Sequence, residues 1–184
     1  MKQARFLVTA VAIVALLGGC ATGARIENME VAGQPAQRIA PTPLRKQLAV
    51  REVGGGNETN PLWKSNVGNP EFENALKNSL RATGLLSEGQ AGKYTLSAQL
   101  NDLDQPMIGL DMTVTAKVTY TVAEQTSGKT IWQQTLVTPY TARFGDAFAG
   151  YERLRLANEG AIRANLSRLI DELFRLKIEQ LALQ

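Results

Sequence analysis

Met112, Val114, Ala116, Val118, Tyr120 and Val122 alternate with Thr113, Thr115, Lys117, Thr119 and Thr121. A period of two with apolar residues on one side only is the pattern of a strand that buries one face and shows the other to water. Tyr94, Leu96, Ala98 and Leu100 alternate in the same way with Thr95, Ser97 and Gln99, and a loop containing Pro106 and Gly109 separates the two runs. Gln125-Thr126-Ser127-Gly128 then forms a turn that sends the chain back through Thr130 to about Thr138, which predicts a hairpin. Upstream, Gln47 to Val53 is short, carries β-branched residues and stops at Gly54-Gly55-Gly56, which predicts a further strand.

Two stretches have a helical period instead. Asn69-Pro70-Glu71 reads as a helix start, with Asn69 as the cap, proline at the first position and an acid near the positive end of the dipole. Phe72, Ala75, Leu76, Ser79 and Leu80 then share one face, and Gly84 supplies the left-handed stop. A second, longer helix is predicted from Tyr151 to about Leu181, with Ile162, Leu166, Leu169, Ile170, Leu173 and Leu176 as its apolar stripe. Arg153, Arg168, Asp171, Glu172 and Arg175 are expected on its solvated side, and Gly160 is expected to bend or interrupt it. The order β-α-β-β-β-α predicts an α+β domain over 47–184. It consists of a single, mainly antiparallel sheet of about four strands with two helices packed on one face.

The segment ahead of this domain is patterned differently. From Ala21 to about Pro43 it is rich in Ala, Gly, Gln and Pro without sustained apolar periodicity, so 20–46 reads as a flexible tether. Residues 1–19 have a basic start at Lys2 and Arg5, an apolar run Phe6 to Leu17 and the small pair Gly18-Gly19, the three regions of an export signal. The run is too short to span a bilayer stably. Leu17-Gly18-Gly19-Cys20 resembles the lipobox of bacterial lipoprotein signals, and Cys20 is the only cysteine in the chain. The resemblance implies cleavage before Cys20, a diacylglycerol on its sulfur, and attachment to the membrane through that lipid. Position 21 is Ala rather than the Asp of the family's inner-membrane rule. This implies the inner leaflet of the outer membrane, with the domain facing the periplasm.

Composition removes several kinds of chemistry. The formal charge of +3 falls to +1 once Lys2 and Arg5 leave with the signal, and acids are interspersed with the remaining bases, so no nucleic-acid partner is expected. The chain has no histidine, so imidazole-dependent triads and the commonest zinc sites cannot be built. Ala123 to Thr130 fits a loose phosphate-binding loop, but Ile131 to Val137 continues as strand where that motif needs a helix, and no nucleotide is expected. Asp102, Asp104 and Asp111 flank an apolar Met-Ile-Gly-Leu insert unsuited to calcium, so neither a metal nor another cofactor is expected. Catalysis would have to rest on acids such as Asp102 or Asp146 acting on glycan or lipid. This is the alternative to a noncatalytic role.

The candidates for partner contact are aromatic. Arg143-Phe144-Gly145-Asp146-Ala147-Phe148-Ala149-Gly150-Tyr151 sets three aromatics among small residues between a strand and a helix, where Arg143, Phe144, Phe148 and Tyr151 suit a protein or glycan contact. Closure of the core by Phe144 and Phe148 is the competing arrangement. Trp63 lies in an aperiodic loop and is either exposed or folded back as a lid. The edge of an open four-stranded sheet, for example Gln47 to Val53, could also accept a partner's strand.

With the lipobox, Met112 to Tyr120, the Ser127-Gly128-Lys129 turn and Ile131-Trp132 resemble small α+β lipoproteins of the Gram-negative envelope, of the YajG and lipopolysaccharide-assembly types. The resemblance implies fold and location more than activity, and the function expected of a nearly neutral, histidine-free domain is that of a noncatalytic lipoprotein that binds or stabilises an envelope partner in an assembly, secretion or cell-wall complex. It implies no catalytic residues.

Overall fold

Four strands form one sheet in the order β1-β2-β3-β4: β1 (Leu48–Gly54), β2 (Tyr94–Asp104), β3 (Met112–Glu124) and β4 (Thr130–Ala142). The computed structural model describes residues 21–34, 36, 40–60, 64–89 and 91–176. The stretch read as an export signal, Cys20 and Trp63 therefore lie outside the described residues. β3 is antiparallel to both its neighbours, with Leu96 opposite Val122 and Val118 opposite Leu136. β1 runs parallel to β2, with Leu48 opposite Tyr94. A parallel pair needs a crossover, and α2 (Asn69–Ala82) supplies it. The helix α3 (Gly150–Arg175) follows β4, so the α+β order read from the sequence is the order of the fold.

The strand periodicity has the burial it predicts. Met112, Val114, Ala116, Val118, Tyr120 and Val122 are buried, and the threonines between them face out. On that outer face Thr113 and Thr141 lie 2.8 Å apart through their hydroxyls, as do Thr119 and Thr135. The cross-strand threonines thus saturate one another on the polar face. α3 covers β3 and β4, and α2 packs on β1. Phe72, Ala75, Leu76 and Leu80 of α2 join Leu166, Leu169 and Leu173 of α3 in one core.

Four local expectations change. Asn69 does not cap α2: the cap is Gly68, and the Asn69 side chain accepts the Gly56 N–H at 2.7 Å, tying the helix start to the loop after β1. Gly160 does not interrupt α3. The Tyr140 ring of β4 lies over it so closely that a Cβ there would sit 2.2 Å from Tyr140 Cδ1. Arg153, expected in solvent, is buried. The stretch read as a tether is packed in its described parts. It forms one helical turn, α1 (Ile26–Met29), against α2 and α3, with Met29 and Leu44 fully buried and Ala21 and Ala24 nearly so. A four-residue turn is too short to show a period, which is why no pattern announced it.

A polar network crosses the core. Tyr120 donates to Asn165 Oδ1 at 2.9 Å, Asn165 Nδ2 donates to Thr138 Oγ1 at 2.9 Å and to the Leu136 carbonyl at 3.1 Å, and Thr138 donates to the Ala161 carbonyl at 3.1 Å. Each group finds a partner, so the network fixes α3 over β3 and β4 without a desolvation penalty left open.

Burial pushes the Tyr120 hydroxyl far above its ordinary pKa of 10.0. The unfolded chain releases this proton near that value while the folded chain keeps it, so stability falls as pH rises past it. Tyr120→Phe should remove this part of the alkaline loss while costing about 1–3 kcal/mol at neutral pH, because Asn165 Oδ1 loses its donor. Urea unfolding at neutral and alkaline pH measures both. Gly160→Ala should destabilise by about 1–3 kcal/mol through overpacking against Tyr140. In a Tyr140→Ala background the same change should be neutral or stabilising, since alanine is the better helix former by about 1 kcal/mol. Thermal unfolding of the four proteins tests the reversal.

Candidate functional site

The sheet has a distinct lower end, where β2 stops and β3 begins. The β2–β3 loop (105–111), the β4–α3 connection (143–149) and the loop after β1 gather there, together with the start of the described chain. The β2–β3 loop holds Met107, Ile108 and Leu110 at 98, 88 and 72% exposure, and Phe148 of the β4–α3 connection is 91% exposed. Phe144 is about half exposed and Tyr151 half-buried, so neither phenylalanine closes the core. Four large apolar side chains this open at one end of a small domain form a patch of the kind that marks a contact surface.

Both loops are held in place. The Phe144 N–H donates to Asp111 Oδ1 at 2.8 Å, joining one loop to the other, and the Arg143 N–H donates to Asp146 Oδ2 at 2.7 Å across the 3-10 turn Phe144–Asp146. Arg153 Nη1 donates to the carbonyls of Ala147 and Phe148 at 2.7 Å each, and its guanidinium stacks 5.0 Å from the Phe144 ring centre. This is why Arg153 is buried. A cation in the opening turns of a helix opposes the dipole, and that misplacement was the available sequence signal that the residue had another partner.

The start of the chain is fastened beside the same loops. Ser65 Oγ donates to the Thr22 carbonyl at 2.8 Å, and the Ser65 carbonyl accepts from Gln105 Nε2 and Asn158 Nδ2 at 2.9 Å each. The Ala24 N–H donates to the Asn66 carbonyl at 3.1 Å. One turn further on, Glu159 of α3 receives the Arg25 N–H and Asn28 Nδ2, both at 2.9 Å, and pairs with Arg155 at 2.9 Å. Glu159 is 1% exposed. Neither Glu159 nor the Met107–Leu110 insert stood out in the sequence as a working part. Their signals, an acid inside a long helix and an apolar run inside a loop, have ordinary explanations until the neighbours are known.

The acids considered for catalysis are exposed. Asp102 and Asp104 lie at the end of β2, and the Asp111 and Asp146 carboxylates accept backbone N–H groups. Among the described residues no group of three or more His, Cys, Asp or Glu side chains is placed to hold a metal, and no helix is long and apolar enough to cross a membrane. The segment Ala123 to Thr130 is the β3–β4 turn, at the opposite end of the sheet from Phe148, and β4 follows it directly. At that far end an open concavity of about 640 Å³ is lined by Lys46, Lys77 and Arg81, but Lys46 pairs with Glu88 and Lys77 with Glu73.

No protein-family model matches the sequence, and no curated protein matches it at a significant level. Solved structures match in fold. A Xanthomonas campestris protein of the family DUF330 superposes with a TM-score of 0.60 at 12% identity, covering 83% of this chain and 93% of that one. A minor lipoprotein from Acinetobacter baumannii gives a TM-score of 0.51 at 16% identity, covering 73% of this chain and 94% of that one. At these identities the likeness is one of fold.

Glu159→Ala leaves the buried Arg155 with only its longer contact to Glu152, at 3.7 Å, and releases the start of the chain. It should cost about 3–5 kcal/mol, the range for breaking a buried pair from one side. Amide exchange should rise at residues 24–31 before it rises in the sheet, measured by hydrogen exchange beside urea unfolding.

Proposed function

We propose that this chain is a noncatalytic lipoprotein of the bacterial envelope, held in the inner leaflet of the outer membrane by a lipid on Cys20. In this reading its domain faces the periplasm and binds or stabilises an envelope partner. The observation that carries the reading is the lipobox Leu17-Gly18-Gly19-Cys20, two residues ahead of Thr22, whose carbonyl is bonded to Ser65. The fold, shared with a protein described as a minor lipoprotein, is in keeping with it. So is the exposure of Asp102 and Asp146, neither of which is drawn into a buried site. Arg143, Phe144, Phe148 and Tyr151 are the contact residues of choice among those described, because the patch at the lower end is apolar, exposed and rigidly held. Trp63 is a further candidate on sequence grounds alone.

Cys20→Ala should move the protein from the membrane to the soluble fraction with its thermal unfolding unchanged. A variant that stays with the membrane refutes the anchor. Crosslinking in intact cells should trap the wild-type domain with an envelope component. Turnover of a glycan or lipid substrate by the purified protein, abolished by Asp102→Asn or Asp146→Asn with the fold intact, would refute the noncatalytic reading.

A further inference from the structure

We propose that Met107, Ile108, Leu110 and Phe148 insert into the bilayer that carries the anchor, so that the contact made by the lower end is with the lipid surface itself. The inference rests on the reading of Cys20 as the lipid attachment point. Ala21 follows Cys20 directly, and one residue reaches at most about 3.6 Å. Thr22 is bonded through its carbonyl to Ser65, and Ser65 through its own carbonyl to Gln105, the residue that opens the Met107–Leu110 loop. A lipid on Cys20 therefore enters the membrane within a few residues' length of the exposed loop. With the Thr22 carbonyl and the Ala24 N–H both bonded to the loop before α2, only Ala21 stands between Cys20 and the fixed chain, too little to hold the body away from the headgroups. The lower end must meet the surface, and it presents four open apolar side chains to it.

The chemistry of the end matches a lipid surface of a particular kind. Asp102, Asp104, Asp111 and Asp146 stand exposed near the loops, interspersed with the exposed cations Arg143 beside Phe144, Lys117 opposite Asp102 and Lys64 beside Ser65, so the rim carries both signs. Such a rim gives no attraction for anionic headgroups, so attachment is through apolar insertion among zwitterionic ones. The carboxylates of Asp111 and Asp146 are already engaged by backbone N–H groups, and Arg153 holds Phe148's carbonyl from below. The loops are thus preset rather than ordered by the membrane, which lowers the entropic cost of inserting them.

Cys20 is the only cysteine, so in the lipidated full-length protein a cysteine placed at Ile108 or Phe148 is the sole free thiol. Each of Ile108→Cys, Phe148→Cys and Ser127→Cys, labelled with an environment-sensitive NBD dye, is to be reconstituted in phosphatidylethanolamine-rich vesicles with and without brominated acyl chains. Ser127 lies in the turn beyond the far end of β3, about 40 Å away along the strand at 3.3 Å per residue. Labels at 108 and 148 should shift to the blue and be quenched by the brominated lipid, unchanged in high salt, while the label at 127 stays water-like. Water-like, unquenched emission at 108 and 148 with the protein vesicle-bound overturns the proposal. So does a blue shift that brominated lipid cannot quench, which means that a second copy or another protein covers the patch. The mass of the N-terminal peptide reports the anchor separately, and an unmodified Cys20 overturns the anchor and the insertion with it.

Discussion

A buried carboxylate holds the two ends of this domain together. Glu159 lies within α3, out of water, and a charge there is tolerable only if every lone pair it offers is used. Arg155 supplies the counter-charge from the next helical turn, and the Arg25 N–H and Asn28 amide supply the remaining donors from the start of the chain. The few apolar residues of α1, chiefly Met29, add packing but too little area to fix a single helical turn by themselves. The carboxylate thus helps set where residues 25–28 lie, and the bond from Ser65 to Thr22 places the start of the described chain at the lower end of the sheet.

The same helix must also lie close against the sheet, and small residues let it. Ala157, Gly160 and Ala161 are buried, with Gly160 directly under the Tyr140 ring. Asn165 then fixes the rotation of the helix, because its amide reaches Tyr120, Leu136 and Thr138 only in one orientation. Packing sets the distance and hydrogen bonds set the angle. The outer face of the sheet takes no part in this and satisfies itself through paired threonines.

The sequence was most legible where a repeating pattern ran long enough to average out exceptions. Met112 to Val122 gave strand, face and burial together, and Phe72 to Leu80 gave a helix and its inner side. It was least legible where a single residue answers to a partner far along the chain. Arg153 follows the spacing of a solvated helix face and is buried because two loop carbonyls and Phe144 need it. Gly160 looks like a helix breaker and is a contact point. Ile26 to Met29 looks like linker because its partners are on α2 and α3. At the lower end, Phe144 and Phe148 were singled out by their spacing, whereas Met107, Ile108 and Leu110 gained meaning only when Asp111 was seen to join their loop to Phe144.

The bond from Arg25 to Glu159 spans 134 residues, which also bears on when the domain can close. Contacts of such separation form late, since the entropy of closing nearly the whole chain is lost before they give anything back. Residues 25–29 have their partners on α2 and α3, and β3 lacks its covering helix until α3 is in place. The N-terminal turn is thus among the last parts of the domain to be fixed, and until α3 docks residues 25–29 are free to take other partners.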